Sequence, residues 1–262
     1  MKTTPFQKFR ILFGCFSFWH FATLIPYGAE LFSNQGIFTD PRIHPLYRLF
    51  PNPLAWIGTP TGILFWLIAL CLASCGLLTN YYRRTCSAFL WYGATALFHQ
   101  NPLTLNPSVP YLGLLYLLLA VMPHESKWKE GRLPYEAWWV AWILLMAGYT
   151  FSGILKIQSP SWQDGTALIH MAQNPLARDY FLRDWFLKMP EGIIHGLTWF
   201  ALAGEVMALP LALIPKFRWI PWLWMGGMHL GILSLVSFAD LTGGMLMIHL
   251  FTAIPYRRKI PF

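Results

Sequence analysis

Charge is what this chain has least of. Its 19 Lys and Arg and 11 Asp and Glu make up 11% of 262 residues, against roughly 25% in soluble globular chains. That shortage excludes an ordinary water-soluble domain, and a content of 56% hydrophobic and 17% aromatic residues makes lipid the expected solvent. In a soluble chain a net charge of +8 would suggest an acidic partner. In a membrane chain it is read loop by loop, because Lys and Arg gather on the cytoplasmic side, so no nucleic acid is expected. Cysteine is also sparse. Cys15, Cys71, Cys75 and Cys86 all lie within or beside apolar segments, and no C-x-x-C pair points to dithiol redox chemistry or a zinc ribbon, so packing is their expected role. No long repeat or low-complexity tract occurs. Lys2, Lys8 and Arg10 precede an apolar run, but Trp19, His20 and Pro26 interrupt it and no small-x-small cleavage site follows, so a retained first helix is expected.

A spanning helix needs about 20 mostly apolar residues. Eight segments compete: Ile11 to Ala29, Gly62 to Leu78, Thr85 to Phe98, Val109 to Met122, Tyr135 to Lys156, Gly192 to Ile214, Trp219 to Phe238 and Leu241 to Ile254. The third, fourth and eighth are short, and each crosses with help from its flanks or dips into the bilayer shielded by neighbours. The expected fold is all-α: a single polytopic helical bundle of about eight transmembrane segments filling residues 1–262. With the N-terminus inside, the inner loops and termini hold Lys2, Lys8, Arg10, Arg83, Arg84, Lys127, Lys129, Arg132, Lys216, Arg218, Arg257, Arg258 and Lys259, which is 13 of the 19 basic residues. This asymmetry predicts a multi-pass protein of a bacterial cytoplasmic membrane with both termini cytoplasmic, and it puts Lys156 near the outer face. Two outer loops are long. In the second, Asn174 and Pro175 read as the cap and first residue of an interfacial helix, with Asp179–Arg183 and Asp184–Lys188 as (i, i+4) pairs, covering whatever lies beneath.

Ionisable residues inside spans are expensive and each raises a functional hypothesis. Lys156 shares a helix face with Tyr149, Ser152 and Gly153, which gives it a small-residue recess and two hydroxyls on the preceding turns. It is either a functional amine or a cation snorkelling to the interface beside Trp162. His229, halfway along its span in "GGMHLG", has glycines around it that admit another helix or a ligand. Its bland counterpart is a neutral ring bonded to a backbone carbonyl. Glu205, deep in "TWFALAGEVMALP", must be protonated or paired. His195 and His99 lie at outer helix ends and are candidate partners of Lys156, as are Glu30 and Asp240. His20 and His249 also fall in spans, but no span carries two histidines, so a stacked pair of haems is not expected, and neither is any metal.

The stretch "YTFSGILKIQSPSWQDG", with Gly153, Lys156, Trp162 and Gly165 in that order, resembles the signature of the HTTM membrane domain, the family of the vitamin K-dependent γ-carboxylases. "HQNPLTLNPSVPYLGLLYLLLAVMP", "IIHGLTWFALAGEVMALPLALIP" and "GMHLGILSLVSF" resemble its polar loop, acid-bearing helix and histidine helix, in order over nearly the whole chain. The resemblance implies that Lys156 is the base that deprotonates a reduced quinone, with His229 as a second catalytic residue. Tyr149, Ser152, Trp162, His99, His195 and Glu205 are then expected to line the substrate or cofactor site. The match fails where the carboxylases carry a histidine just before the helix at Val109, since this chain reads "NPSVPY" there. Their propeptide-binding soluble domain has no counterpart in these residues. The expected activity is therefore carboxylase-like or quinol-dependent, with membrane lipids, a quinone and a protein of unspecified identity as partners. The competing classes are a non-enzymatic partner subunit and a transporter using His229 and Glu205. A transporter would be expected to show an internal inverted repeat, and none is visible.

Overall fold

The computed structural model describes residues 3–38, 40, 42, 44–124, 128 and 132–256. Every named element among them is helical: α1 (Pro5–Leu24), α2 (Gly28–Phe32), α3 (Leu54–Ile57), α4 (Pro60–Gly76), α5 (Arg83–Gln100), α6 (Val109–Val121), α7 (Tyr135–Ile157), α8 (Pro160–Gln163), α9 (Ala167–Gln173), α10 (Phe181–Leu187), α11 (Glu191–Leu213), α12 (Trp219–Leu235) and α13 (Ala239–Ala253). Each of the eight expected apolar segments overlaps a helix, although α1 starts six residues before the expected Ile11 and ends five before Ala29, and the overlap does not make all eight long enough to span. By length and composition, three helical stretches can cross a membrane: Pro5–Phe32, Tyr135–Ile157 and Glu191–Leu213. α4 and α6 are apolar but shorter. The 13 residues of α6 rise only about 20 Å, less than a hydrocarbon core of about 30 Å. Large apolar side chains stand open on the helix surfaces, among them Phe65, Leu72, Val121 and Phe151, as expected where lipid is the solvent.

The chain divides into two compact units, 1–137 with 253–262, and 138–252. In the first, α1 packs along α4, and α5 lies between α4 and α6. Its helix starts follow from sequence. Thr4 and Gln7 form a reciprocal capping box with Pro5 at the first position, and Thr59 caps α4 ahead of Pro60. Several arginines expected to be loop charges instead close helix ends. Arg10 donates to the carbonyl of Leu77 at 2.5 Å, Arg84 to Ala120 at 2.9 Å, and the wholly buried Arg83 to Met122 and Pro123 at 2.7 and 2.8 Å. Each guanidinium meets at least one carbonyl that a terminating helix leaves without an N–H partner, at the negative end of its dipole, and Arg83 also reaches Pro123 just beyond α6. Lys2, Lys127, Lys129, Arg257, Arg258 and Lys259 lie outside the described residues.

The second unit holds α7, α11, α12 and α13 with the connection α8–α10. The expected helix start at Asn174 is corrected. Asn174 instead ends α9, its side chain accepting from the amide of Leu176 at 2.9 Å. Residues 175–180 then run across the end of α12, where Arg178 N donates to Leu235 O at 2.8 Å and Ser237 N to Leu176 O at 2.7 Å. Bonds committed to a neighbouring chain cannot also close a helical turn, so α10 begins only at Phe181. The Asp179–Arg183 pair forms at 3.1 Å, whereas no Asp184–Lys188 ion pair occurs among the described residues. Ala172, Phe186 and Ile194 bury one another with Leu168, Leu187 and Leu235 around them, tying α9 and α10 to α11 and α12.

Candidate functional site

α7 and α11 approach closely because Gly153 has no side chain. A Cβ there would lie 2.8 Å from the amide nitrogen of Val206 and 3.0 Å from the Cβ of Glu205. The contact is reinforced at Pro210, inside α11. Proline has no N–H, so the carbonyl of Val206 four residues back loses its helical donor. Thr150 enters this gap. Its hydroxyl lies 3.2 Å from the carbonyls of both Glu205 and Val206 and accepts from the amide of Leu209 at 2.9 Å. The backbone of Glu205 is therefore held from α7.

One helical turn beyond Gly153, Lys156 Nζ donates to Glu205 Oε1 at 2.5 Å, and Ser152 Oγ donates to Oε2 at 3.3 Å. Glu205 is buried, with 3% of its side chain accessible, while Lys156 retains 30%. A buried carboxylate needs both a cation and hydrogen bonds, and here it receives them from one face of α7. The ammonium sits 4.7 Å from the centroid of the Trp162 ring, a cation–π contact from the connection that follows the helix. That connection turns back at Gly165, where φ is +86°, a conformation that side-chain-bearing residues seldom adopt. A Cβ on Gly165 would meet His195 at 2.8 Å. Each residue of the Gly153, Lys156, Trp162 and Gly165 series thus has a specific physical task.

Lys156, Trp162 and Glu205 form the polar edge of a cavity of about 770 Å³. Its remaining wall is almost wholly apolar. α9 contributes Leu168 and Met171, α10 contributes Phe186, α11 contributes Phe200, and α12 contributes Gly227 and Gly231. Within the connection α8–α10, the two short helices α9 and α10 wall the cavity, in place of the single helix expected there. Pockets of this size and character accept a largely apolar small molecule oriented by a few polar groups.

The other expected site residues divide among three places. Tyr149 and His229 lie together in the second unit, joined to a residue the sequence reading left out of the site: the Tyr149 hydroxyl is 2.8 Å from Nε2 of His229 and 2.8 Å from Nε2 of His249. All three are at least 95% buried. His229 therefore bonds a tyrosine rather than a backbone carbonyl, and the in-span position of His249 was the only signal that could have found it. His195 packs on Gly165 and Trp199, beside the turn that carries Trp162. His99 belongs to the first unit, stacked on His44 with ring centroids 4.0 Å apart at a separate cavity of about 440 Å³. Among the described residues, no group of three His, Cys, Asp or Glu is arranged to hold a metal ion.

The chain matches no protein-family model, and no curated protein or solved structure is significantly similar to it.

Proposed function

We propose that this is an integral membrane enzyme of the carboxylase-like HTTM type that binds a reduced quinone or similar lipid and uses Lys156 as general base. The observation that carries the reading is the Lys156–Glu205 pair at 2.5 Å on the edge of an otherwise apolar cavity. An ammonium cannot accept a proton, so Lys156 first passes the proton it already directs at Oε1 to Glu205. The neutral amine then takes the hydroxyl proton of the bound ligand and leaves an oxyanion beside the restored ammonium. Protons balance at each step, and Glu205 acts as the store. The end of α7 opposes the first transfer, because the negative pole of a helix favours a cation. The low-dielectric wall favours it, because the transfer neutralises the buried carboxylate together with its partly exposed ammonium. Ser152 and Trp162 orient carboxyl and amine. The architecture we propose for this enzyme is eight passes with both termini cytoplasmic, in a bacterial cytoplasmic membrane, the cavity opening toward the outer leaflet.

The test combines ligand identification with one substitution. Mass spectrometry of lipids that copurify in mild detergent is expected to find a quinone or a lipid with an acidic hydroxyl. Lys156→Arg keeps the ion pair with Glu205 and the reach to Trp162, but arginine stays protonated in proteins. The variant is expected to fold, insert and lose activity in cells that depend on the gene. Normal activity from a correctly inserted Lys156→Arg protein would falsify the base reading and leave the lysine as an interfacial anchor in a non-enzymatic or transport protein.

A further inference from the structure

The buried group of Tyr149, His229 and His249 is not needed by the base chemistry above, and its hydrogen-bond arithmetic is restrictive. A tyrosine hydroxyl has one proton to donate. With Nε2 of both rings 2.8 Å from that oxygen, the hydroxyl can donate its proton to one histidine while it accepts the Nε2–H of the other. In that arrangement the two neutral rings are opposite tautomers, one protonated at Nε2 and the other at Nδ1. The far sides of the rings are also distinctive. Nδ1 of His229 and Nδ1 of His249 are both buried without a hydrogen-bond partner among the described residues. A purely structural bridge would be expected to satisfy such atoms, because each buried polar atom left bare is destabilising. Two bare atoms at opposite ends of one bonded chain instead mark where a proton, carried by a water or a ligand, can enter and leave. Glycine supplies room at one end: a side chain at Gly226 would begin 4.0 Å from His249 Nδ1.

We propose that His229, Tyr149 and His249 form a proton relay whose terminals are the two Nδ1 atoms. A proton received at Nδ1 of His229 is matched by transfer of its Nε2 proton to the Tyr149 oxygen. The Tyr149 proton moves to Nε2 of His249, and the Nδ1 proton of His249 leaves. One proton enters and one departs, no ring keeps a charge, and both tautomers end inverted. The relay then carries the next proton only in reverse or after the rings reset. Its relation to the enzyme reading is one of direction. Tyr149 and Lys156 stand two turns apart on one face of α7, roughly 10 Å along the axis. His229 stands on α12, whose Gly227, Met228 and Gly231 line the cavity together with Lys156 and Glu205, whereas α13, which carries His249, contributes nothing to that lining among the described residues, so His229 is the terminal assigned to the Lys156–Glu205 pair.

The experiment uses the full chain in lipid nanodiscs with ¹⁵N-labelled histidine. Ring signals are assigned by loss in His229→Gln and His249→Gln. The relay requires that His229 and His249 be neutral, of opposite tautomers, and in measurable exchange with one another by relaxation dispersion. Tyr149→Phe removes the shared oxygen and is expected to abolish that exchange. If Tyr149→Phe does not fold, His249→Gln serves instead, since glutamine keeps a polar group in reach but cannot take a proton on one side and release it from the other. His229 is then expected to stop exchanging. Identical tautomers, opposite tautomers that do not exchange, or exchange that survives these substitutions would each reduce the group to a structural bridge. Lys156→Arg leaves the three rings untouched and is expected to preserve the exchange, so its activity judges the base reading separately.

Discussion

Glu205 is the residue on which the second unit's polar chemistry turns. Its carboxylate is buried, its backbone is gripped by Thr150, and its two oxygens are taken by Lys156 and Ser152. Removing the lysine would strand a buried charge. Lys156→Met is expected to destabilise the protein by about 3 kcal/mol, the low end for a broken buried pair because Lys156 keeps one side toward the cavity. Pairing it with Glu205→Leu is expected to restore most of the loss, since two apolar groups need no partner. Denaturant unfolding of the three variants in detergent reads both numbers. Similar stability for Lys156→Met and the parent would mean that Glu205 carries no charge in the folded protein.

The junction of α7 with α11 shows how a local defect becomes an interface. Pro210 deprives one carbonyl of its donor, and a hydroxyl from the neighbouring helix replaces it while also receiving the amide of Leu209. Thr150→Val has nearly the same shape without the hydroxyl's hydrogen bonds. We expect it to cost about 1–3 kcal/mol, the range for leaving buried backbone groups unpaired. Thr150→Ser should stay close to the parent. Thermal unfolding in detergent separates the two, and equal midpoints for Val and Ser would show that the carbonyl freed by Pro210 needs no help from α7.

For the molecule as a whole, the proposed eight-pass arrangement predicts that cysteines placed at Lys127 and Arg258 are shielded from a membrane-impermeant thiol reagent in intact cells. Cys15 and Cys75 are exposed in the folded chain and must be replaced by serine beforehand. A cysteine in the cover, for example Asp179→Cys at an exposed position, is expected to label from outside. Labelling of Lys127→Cys from outside would overturn the orientation. The charge count behind this prediction has a double meaning that the structure exposes. Arg10, Arg83 and Arg84, counted as inner-side charges, also bond the carbonyls at helix ends. The two roles reinforce each other: a cation held at a helix terminus both closes that terminus and resists crossing the bilayer.

Sequence alone was enough for the helical class and for the approximate position of each long helix among the described residues, because hydrophobic run length is a local property that can be read one segment at a time. It also singled out Lys156, Glu205 and His229, since polar residues in apolar runs stand out wherever they fall. It could not assign their partners. α4 and α6 are apolar on all sides, so periodicity does not distinguish a face that meets lipid from one that meets protein. The pairing of Lys156 with Glu205 depends on two helices meeting at Gly153, and that of His229 with His249 on both reaching one hydroxyl. Contacts between residues 49, 80 and 100 positions apart leave no spacing to read. Only the packing of α7 against α11, α12 and α13 decides them, because a hydrogen bond forms within a few ångströms in space, whatever the distance along the chain.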